Sequence, residues 1–370
     1  HLSIRRQRQM CIRDRVEVGI FEPAIPRRIR KALPERVVNL LYNLLFPSFL
    51  TLLILARFDR MKKAADIPHR GVFDIAFFAS HRLMTIGLAL KRLNLVRILI
   101  YKDHDILPVL TGDRGLSGIE ERMSRGADLV VSVSETLRQL RIRQGATRTL
   151  AVPHGVDLRM FRSAAAARYS PTSPRRNTLM FVGQVDRRWG VELAVKALSR
   201  LERADARLMI VGGGPDDYIR YLKRLSSQLG VQNQISFCGP ARYEEIPELL
   251  SHADIGLAPY PQGSAAEFGV PLKIKEYCAA GLPVVSTEVA EIRRFIEESK
   301  GGLVTRYDER DFANAILSLL EDDFLYRTKS ENGKRYVERF DWSTLFQEEW
   351  ETVRSLYVSL LRHGRKRGCR

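Results

Sequence analysis

Cysteine is scarce in this 370-residue chain, and Cys11, Cys238, Cys278 and Cys369 never form C-x-x-C. That spacing excludes a disulfide scaffold and a zinc ribbon, and it favours a reducing compartment. Three nucleotide and hydrolase signatures are also absent: G-x-x-x-x-G-K-[ST], G-x-S-x-G, and G-x-G-x-x-G with its distant acidic residue. Acidic residues are the minority, 43 against 60 basic, which leaves a net charge of +17. Such an excess favours polyanionic partners: nucleic acid, anionic lipid or phosphorylated substrates. With 45% hydrophobic and 28% charged residues, wholesale disorder is excluded, and the length predicts two domains.

The basic start, His1–Arg15, has no apolar stretch behind it, so it does not read as a secretory signal. Residues 1–15 are expected to lie outside the fold. Val37–Ala56 is a run of twenty residues without a charge, flanked by Arg36 and Arg57. That length would span a bilayer, but Pro47 sits at its middle and Asn39, Asn43, Ser48 and Thr51 interrupt it. A surface-lying helix pair or a buried helix is the expectation.

From Phe73 onward apolar runs alternate with amphipathic stretches. Strands are predicted over Phe73–Ala79, Val96–Tyr101, Ala127–Val133 and Thr149–Pro153. A second set covers Leu179–Gly183, Arg207–Gly212, Ile235–Gly239, Ile255–Pro259, Pro283–Ser286 and Gly302–Thr305. Helices are predicted over Arg82–Leu93, Leu116–Arg125 and Glu135–Gln144. Runs of this kind, spaced by helices, mean parallel strands buried on both faces. Ala164–Arg176 has the Ser/Pro composition of a linker. The fold class is therefore α/β, with two doubly wound, Rossmann-like parallel-sheet domains, and the expected site is a cleft between them. The first domain covers residues 16–163 and the second 177–340, with 341–370 as a C-terminal helix and basic tail.

The densest chemistry lies in Gly269-Val-Pro-Leu-Lys-Ile-Lys-Glu276, continued by Tyr277-Cys-Ala-Ala-Gly281-Leu-Pro283. Pro271 suits the first turn of a helix, Gly281 its end, and Pro283 stops it from continuing. Lys273 and Glu276, three apart, share a face near the helix start. Unpaired backbone N–H groups, the helix dipole and a lysine there suit a phosphate, and a carboxylate one turn deeper suits ribose or sugar hydroxyls. The plainer reading is a capped surface helix with a solvated Lys–Glu pair.

Other segments stand in register with this one: Ala127–Ser134, Val152-Pro-His-Gly-Val-Asp157, Leu179–Gly183, Trp189-Gly190, Ile210–Pro215, Phe237–Gly239, Ala253–Pro259 and Phe340–Trp342. In this order and spacing the set resembles the group 1 (family 4) retaining glycosyltransferases of the GT-B fold. The resemblance runs from about Phe73 to Trp342 and is densest after Ala127. It implies that Glu276 holds the ribose of a nucleotide-sugar and that Phe268, Gly269, Val270 and Pro271 receive the diphosphate. Lys273 fits a P-x-K-x-x-E variant of the family motif. The family often has a second glutamate where this chain has Phe268, with Glu267 one residue off.

After Gly183 the family typically places an arginine and then a lysine on the leaving phosphates. This chain has Gln184 and Trp189 there, with Arg187 and Arg188 between them as substitute cations. His104 matches a first-domain histidine that the family keeps near the sugar. The sequence Asp103-His104-Asp105 can also be read as a D-x-D metal site, although the resemblance implies a metal-free enzyme without cofactor. Gly212–Gly214 reads as a tight strand-to-helix turn more than as a phosphate cradle. Before Phe73 the family's first strand and glycine-rich loop are not found.

The implied activity is transfer of a sugar from a nucleotide-diphosphate sugar to a glycan or lipid-linked acceptor. An epimerase or phosphorylase of the same fold, and a non-catalytic polyanion binder, remain as alternatives. No nucleic-acid module is recognisable, so no specific nucleic-acid partner is expected. Basic residues flank Val37–Ala56 on both sides, at Arg27, Arg28, Arg30 and Lys31 and at Arg57, Arg60, Lys62 and Lys63, and five more lie in the tail after Leu361. They predict a cytoplasmic protein bound peripherally to an anionic membrane surface.

Overall fold

A computed structural model describes residues 73–79, 81–104, 106, 117–162 and 177–367. The expectations for residues 1–72 and for the linker at 164–176 lie outside these described residues. The chain forms two compact units: residues 73–104, 117–131 and Leu140–Thr149 in the first, Ser132–Gln139, 150–162 and 177–367 in the second.

The first sheet and its helices are β1 (Phe73–Phe78), α1 (His81–Arg92), β2 (Val96–Asp103), α2 (Ser117–Gly126), β3 (Leu129–Ser132), α3 (Glu135–Arg143) and β4 (Thr149–Ala151), of which Ser132, the start of α3 through Gln139 and the end of β4 group with the second unit. The sheet has the order β1-β2-β3-β4, with β1 and β2 parallel. In β2 only Arg97 and Lys102 escape full burial, as a strand covered on both faces requires. Leu99, Tyr101, Met84, Met123 and Val130 share its core.

The strand ends on a buried charge. Asp103 accepts from Arg141 Nε at 2.6 Å and Nη2 at 2.9 Å, while Arg141 Nη1 reaches Glu120 at 2.9 Å and Gln144 at 2.7 Å. All three charged side chains are removed from water. Burial pushes the Asp103 carboxyl up, and the fork of Arg141 opposes that rise. A carboxylate held in this way is a structural partner, which takes the D-x-D metal reading away from Asp103.

The second unit holds β5 (Thr178–Val182), α4 (Val191–Arg200), β6 (Arg207–Val211), α5 (Asp216–Gln228), β7 (Ile235–Gly239), α6 (Ile246–Ser251) and β8 (Ile255–Ala258). After them come α7 (Leu272–Ala279), β9 (Val284–Thr287), α8 (Ala290–Ser299), β10 (Gly302–Thr305), α9 (Glu309–Glu321), α10 (Asp323–Val337) and α11 (Trp342–Arg367). Six parallel strands lie in the order β10-β9-β8-β5-β6-β7, so the order reverses between β5 and β8. This is the doubly wound arrangement, in which ligands bind beyond the carboxyl ends of the strands at the reversal.

Alternation along β5 divides the core. Leu179 and Phe181 face a cluster with Leu193, Phe312 and Ile316, while Met180 and Val182 face Ile274, Tyr277 and Ile292. Two motifs far apart in sequence pair: Val156 N–H donates to Phe340 O at 2.8 Å, and Val156 bridges Asp341. A Cβ on Gly155 would lie 2.6 Å from the Trp342 ring, so only glycine fits there. Among the described residues, no helix is long and apolar enough to cross a membrane.

The buried Arg141 cluster makes a stability prediction. Arg141→Ala leaves two buried carboxylates without their cation and should cost about 3–5 kcal/mol in urea unfolding. Arg97→Ala, which removes a half-exposed pair with Asp74, should cost under about 1 kcal/mol. Equal costs would contradict this account of the first unit.

Candidate active site

At the reversal between β5 and β8 the backbone itself is closely packed. Gly183 follows β5 at φ +133°, and its N–H donates to Val211 O at 2.8 Å. Gly212 has φ +148°, and a Cβ there would sit 1.7 Å from Gly183 O; one on Gly214 would sit 1.8 Å from Val185 O. The triple glycine therefore serves as a tight turn that lets two chain segments touch. Gly190, at φ +69°, likewise packs against Pro259 O.

Helix α7 starts beside this turn. The sequence predicts Pro271 in its first turn, but Pro271 stands one residue earlier, at φ −57° and ψ 138°. Its ring fixes φ but leaves ψ extended, so the first helical bond is Ile274 N–H to Pro271 O at 3.1 Å. Gly281, at φ +75°, closes the other end through Cys278 O at 3.0 Å. Ile274–Ala279 are all buried, so this is no solvated surface helix. Among the described residues nothing accepts from the N–H groups of Gly269 or Val270. Those groups and the first helical turn leave donors open to an anion.

Lys273 and Glu276 share one face of α7. The Lys273 ammonium lies 3.8 Å from the centre of the Phe181 ring and 5.3 Å from that of Tyr260. A Cβ on Gly183 would come within 2.8 Å of it, so glycine at the end of β5 makes its room. Burial lowers the Lys273 pKa to about 7, against the pull of Glu276. Glu276 is 5% exposed. Burial raises its pKa to about 7, opposed by a hydrogen bond from Tyr243 and by Lys273. Its Oε1 is buried without a hydrogen-bond partner among the described residues, as is the Ser264 hydroxyl in the loop before α7. An orphaned buried acceptor costs free energy that a ligand hydroxyl would recover.

The substitute cations separate. Arg188 is forked onto Asp186 at 3.0 and 3.2 Å. Arg187 meets no carboxylate among the described residues; its guanidinium lies 4.9 and 5.1 Å from the ring centres of Tyr221 and Tyr218. Trp189 packs edge-on against Tyr260, and its Nε1–H donates to Gln184 at 3.3 Å. Glu267 accepts from Gly263 N–H at 3.0 Å and so closes its own loop. The Phe268 carbonyl accepts from Ser134. His104 directly follows β2 in the first unit, and burial, then Lys102, lowers its pKa to about 4.

Gly183, Lys273, Tyr260 and Glu276 thus form one cluster, joined by Trp189 and Gln184. Sequence reasoning missed Tyr243, Tyr260 and Ser264, which carry no spacing signal, and singled out Ser134 only as the end of the Ala127–Ser134 segment. It also passed over Lys275, which is 1% exposed and donates to His154 O with its ammonium 4.7 Å from the Phe340 ring centre.

Burial holds the Glu276 carboxyl above its ordinary 4.5, at about 7, so the folded state holds more protons than the unfolded state between those values. Stability from this group is then full below pH 4.5 and is lost as pH rises to about 7. Glu276→Gln removes the loss. Urea unfolding should find the variant about 3 kcal/mol more stable than wild type at pH 8 and equal to it near pH 4. A parallel pH profile for both proteins would contradict the buried, unpaired carboxyl.

Residues 176–322 match the family described as glycosyl transferases group 1. The chain is 29% identical over 235 residues to a phosphatidyl-myo-inositol mannosyltransferase of Mycobacterium tuberculosis, covering 60% of this chain and 59% of that protein. It is 31% identical over 239 residues to a D-inositol 3-phosphate glycosyltransferase of Geodermatophilus obscurus, covering 60% of this chain and 51% of that protein. The chain therefore spans less than two thirds of the length of either relative. Among solved structures, HepE of Anabaena, in complex with UDP and glucose, aligns with a TM-score of 0.65 at 23% identity, covering 76% of this chain and 78% of that one. Sucrose-phosphate synthase of Thermosynechococcus elongatus aligns at 0.67 and 21% identity, covering 84% and 79%. The two parallel-sheet units have the GT-B fold, and residues 176–322 are similar to the group 1 glycosyltransferases.

Proposed function

We propose that the protein is a hexosyltransferase that moves a sugar from a nucleotide-diphosphate sugar to a glycan or lipid-linked acceptor, with retention of configuration. The observation that carries this reading is Glu276, buried beside Lys273 one helical turn inside open N–H donors, with one carboxylate oxygen unpaired. In this reading that oxygen takes a ribose hydroxyl, and the N–H groups of Gly269 and Val270 take the diphosphate. The relatives named above, one acting on a phosphatidyl-inositol and one on an inositol phosphate, support a sugar acceptor carried on lipid or phosphate.

As the glycosyl bond breaks, negative charge builds on the departing diphosphate. Fixed donors aimed at that charge lower the barrier because they need no reorganisation. Lys273, with a pKa brought down to about 7, becomes a full cation when an anion arrives beside it. Arg187 supplies the second charge by leaving the faces of Tyr218 and Tyr221. The charge is met by the chain's own groups, so the reading calls for no resident metal. The acceptor hydroxyl needs positioning more than a strong base. His104 in the first unit is the residue assigned to the sugar.

Hydrolysis and transfer assays with UDP-, GDP- and ADP-sugars test the reading. Glu276→Ala should lower kcat/KM at least about a hundredfold, roughly 2.7 kcal/mol of transition-state binding. Wild-type turnover in the folded variant would sink the site, and no activity with any donor would favour a polyanion binder. By calorimetry, Arg187→Ala should weaken nucleoside diphosphate binding about tenfold, whereas Arg188→Ala should change it under about twofold. The reverse order would show that the Asp186 fork opens on binding.

The protein is further proposed to sit on an anionic cytoplasmic membrane surface through the basic residues around Val37–Ala56. Each contributes about 1 kcal/mol near such a leaflet. Flotation with anionic vesicles should be lost at high salt. Binding that resists salt and alkali would mean that the segment inserts, and no binding would contradict the proposal.

A further inference from the structure

Ser134 is used twice. Its Oγ accepts from Leu137 N–H at 3.0 Å, capping α3, and it donates to the carbonyl oxygen of Phe268. Ser134 is 5% exposed. The residue before it makes a second contact at the same place: a Cβ on Gly269 would lie 3.2 Å from Val133 Cγ2. The Phe268–Gly269 peptide is thus held by a hydroxyl, and a methyl group occupies the space into which a side chain at Gly269 would project.

We infer that Ser134 is a positioning residue for the donor diphosphate, acting by fixing the orientation of the Phe268–Gly269 peptide. The inference rests on the proposed nucleotide-sugar site. In a planar trans peptide the carbonyl and the following N–H point in opposite directions. Holding the Phe268 oxygen therefore turns the Gly269 N–H away from Ser134, two residues before Pro271 and the start of α7. Gly269 is extended, at φ −175°, and nothing among the described residues accepts from its N–H. Glu276, buried one turn into the same helix with an unpaired oxygen, is the independent sign that a ligand completes this end of α7.

The geometry separates this role from simple tethering. Thr136, two residues on, donates to Glu291 and ties the same segment down without touching the Phe268 peptide. Thr136→Val therefore loosens the tether alone. Ser134→Gly removes the donor to Phe268 while leaving a residue that is nearly as good a helix cap. Ser134→Thr keeps both bonds.

The test is competition calorimetry on the full chain with UDP and uridine, and with GDP and guanosine, read as the preference for diphosphate over nucleoside. Ser134→Gly should lower that preference about tenfold for the base that wild type accepts, with nucleoside affinity nearly unchanged. Ser134→Thr should restore it, and Thr136→Val should leave it within about twofold. A preference unchanged in Ser134→Gly overturns the inference while leaving the nucleotide-sugar site intact. An equal fall in Thr136→Val overturns it too, because tethering would then explain the loss. A wild type with no diphosphate preference for either base overturns the site and the inference together.

Discussion

Removing Glu276 and Lys273 from water is the constraint that the rest of the second unit is arranged around. An ionised carboxylate or ammonium loses several kcal/mol of hydration on burial, and neither side chain here is repaid by a close, geometrically good ion pair. The result is a carboxyl and an amine that both titrate near 7, each held by an imperfect set of partners: Tyr243 for the acid, the faces of Phe181 and Tyr260 for the base. A fold selected for stability alone would place apolar side chains at these positions on an otherwise buried helix. In the proposed reading, a ligand brings hydroxyls to one and negative charge to the other.

The sheet makes that burial possible. Because the strand order reverses between β5 and β8, the chain diverges there and leaves room beyond the carboxyl ends of the strands. Gly212 and Gly214 then let two loops approach backbone to backbone, and Gly183 leaves room for Lys273 at the end of β5. Tyr277, fully buried on the same helix, accepts from Val182 N–H at 2.8 Å and fixes the helix to that strand. The position of Lys273 and Glu276 is thus set by main-chain packing, which a side-chain substitution elsewhere disturbs little.

The strands were legible because each is a short apolar run with β-branched residues, and the helix at the site because Pro271 and Gly281 mark its ends. Even so, Pro271 falls one residue outside the helix, since proline fixes only φ. The spacing of Lys273 and Glu276 pointed to one helix face. Their burial was not legible, because it depends on strands β5 and β8, remote in the chain. The choice between Arg187 and Arg188 turned on Asp186, an ordinary-looking residue that caps a short turn and forks onto its neighbour. Asp103 looked like half of a metal site until Arg141 and Glu120 were found around it. The pairing of Val156 with Asp341 joins two motifs that gave no sign of touching. In each case the missing information was the identity of a long-range partner, which local periodicity does not contain.

The central claim is that the unpaired oxygen of Glu276 receives a ribose hydroxyl. It is tested most directly by a cycle of two changes: the nucleoside diphosphate that wild type binds against its 2′,3′-dideoxy form, each titrated into wild type and into Glu276→Ala. The account predicts that losing the ribose hydroxyls weakens binding to wild type about tenfold or more, and that the same loss has almost no effect in the variant. An equal penalty in both proteins would mean that the ribose never meets Glu276, and the site would have to be drawn elsewhere.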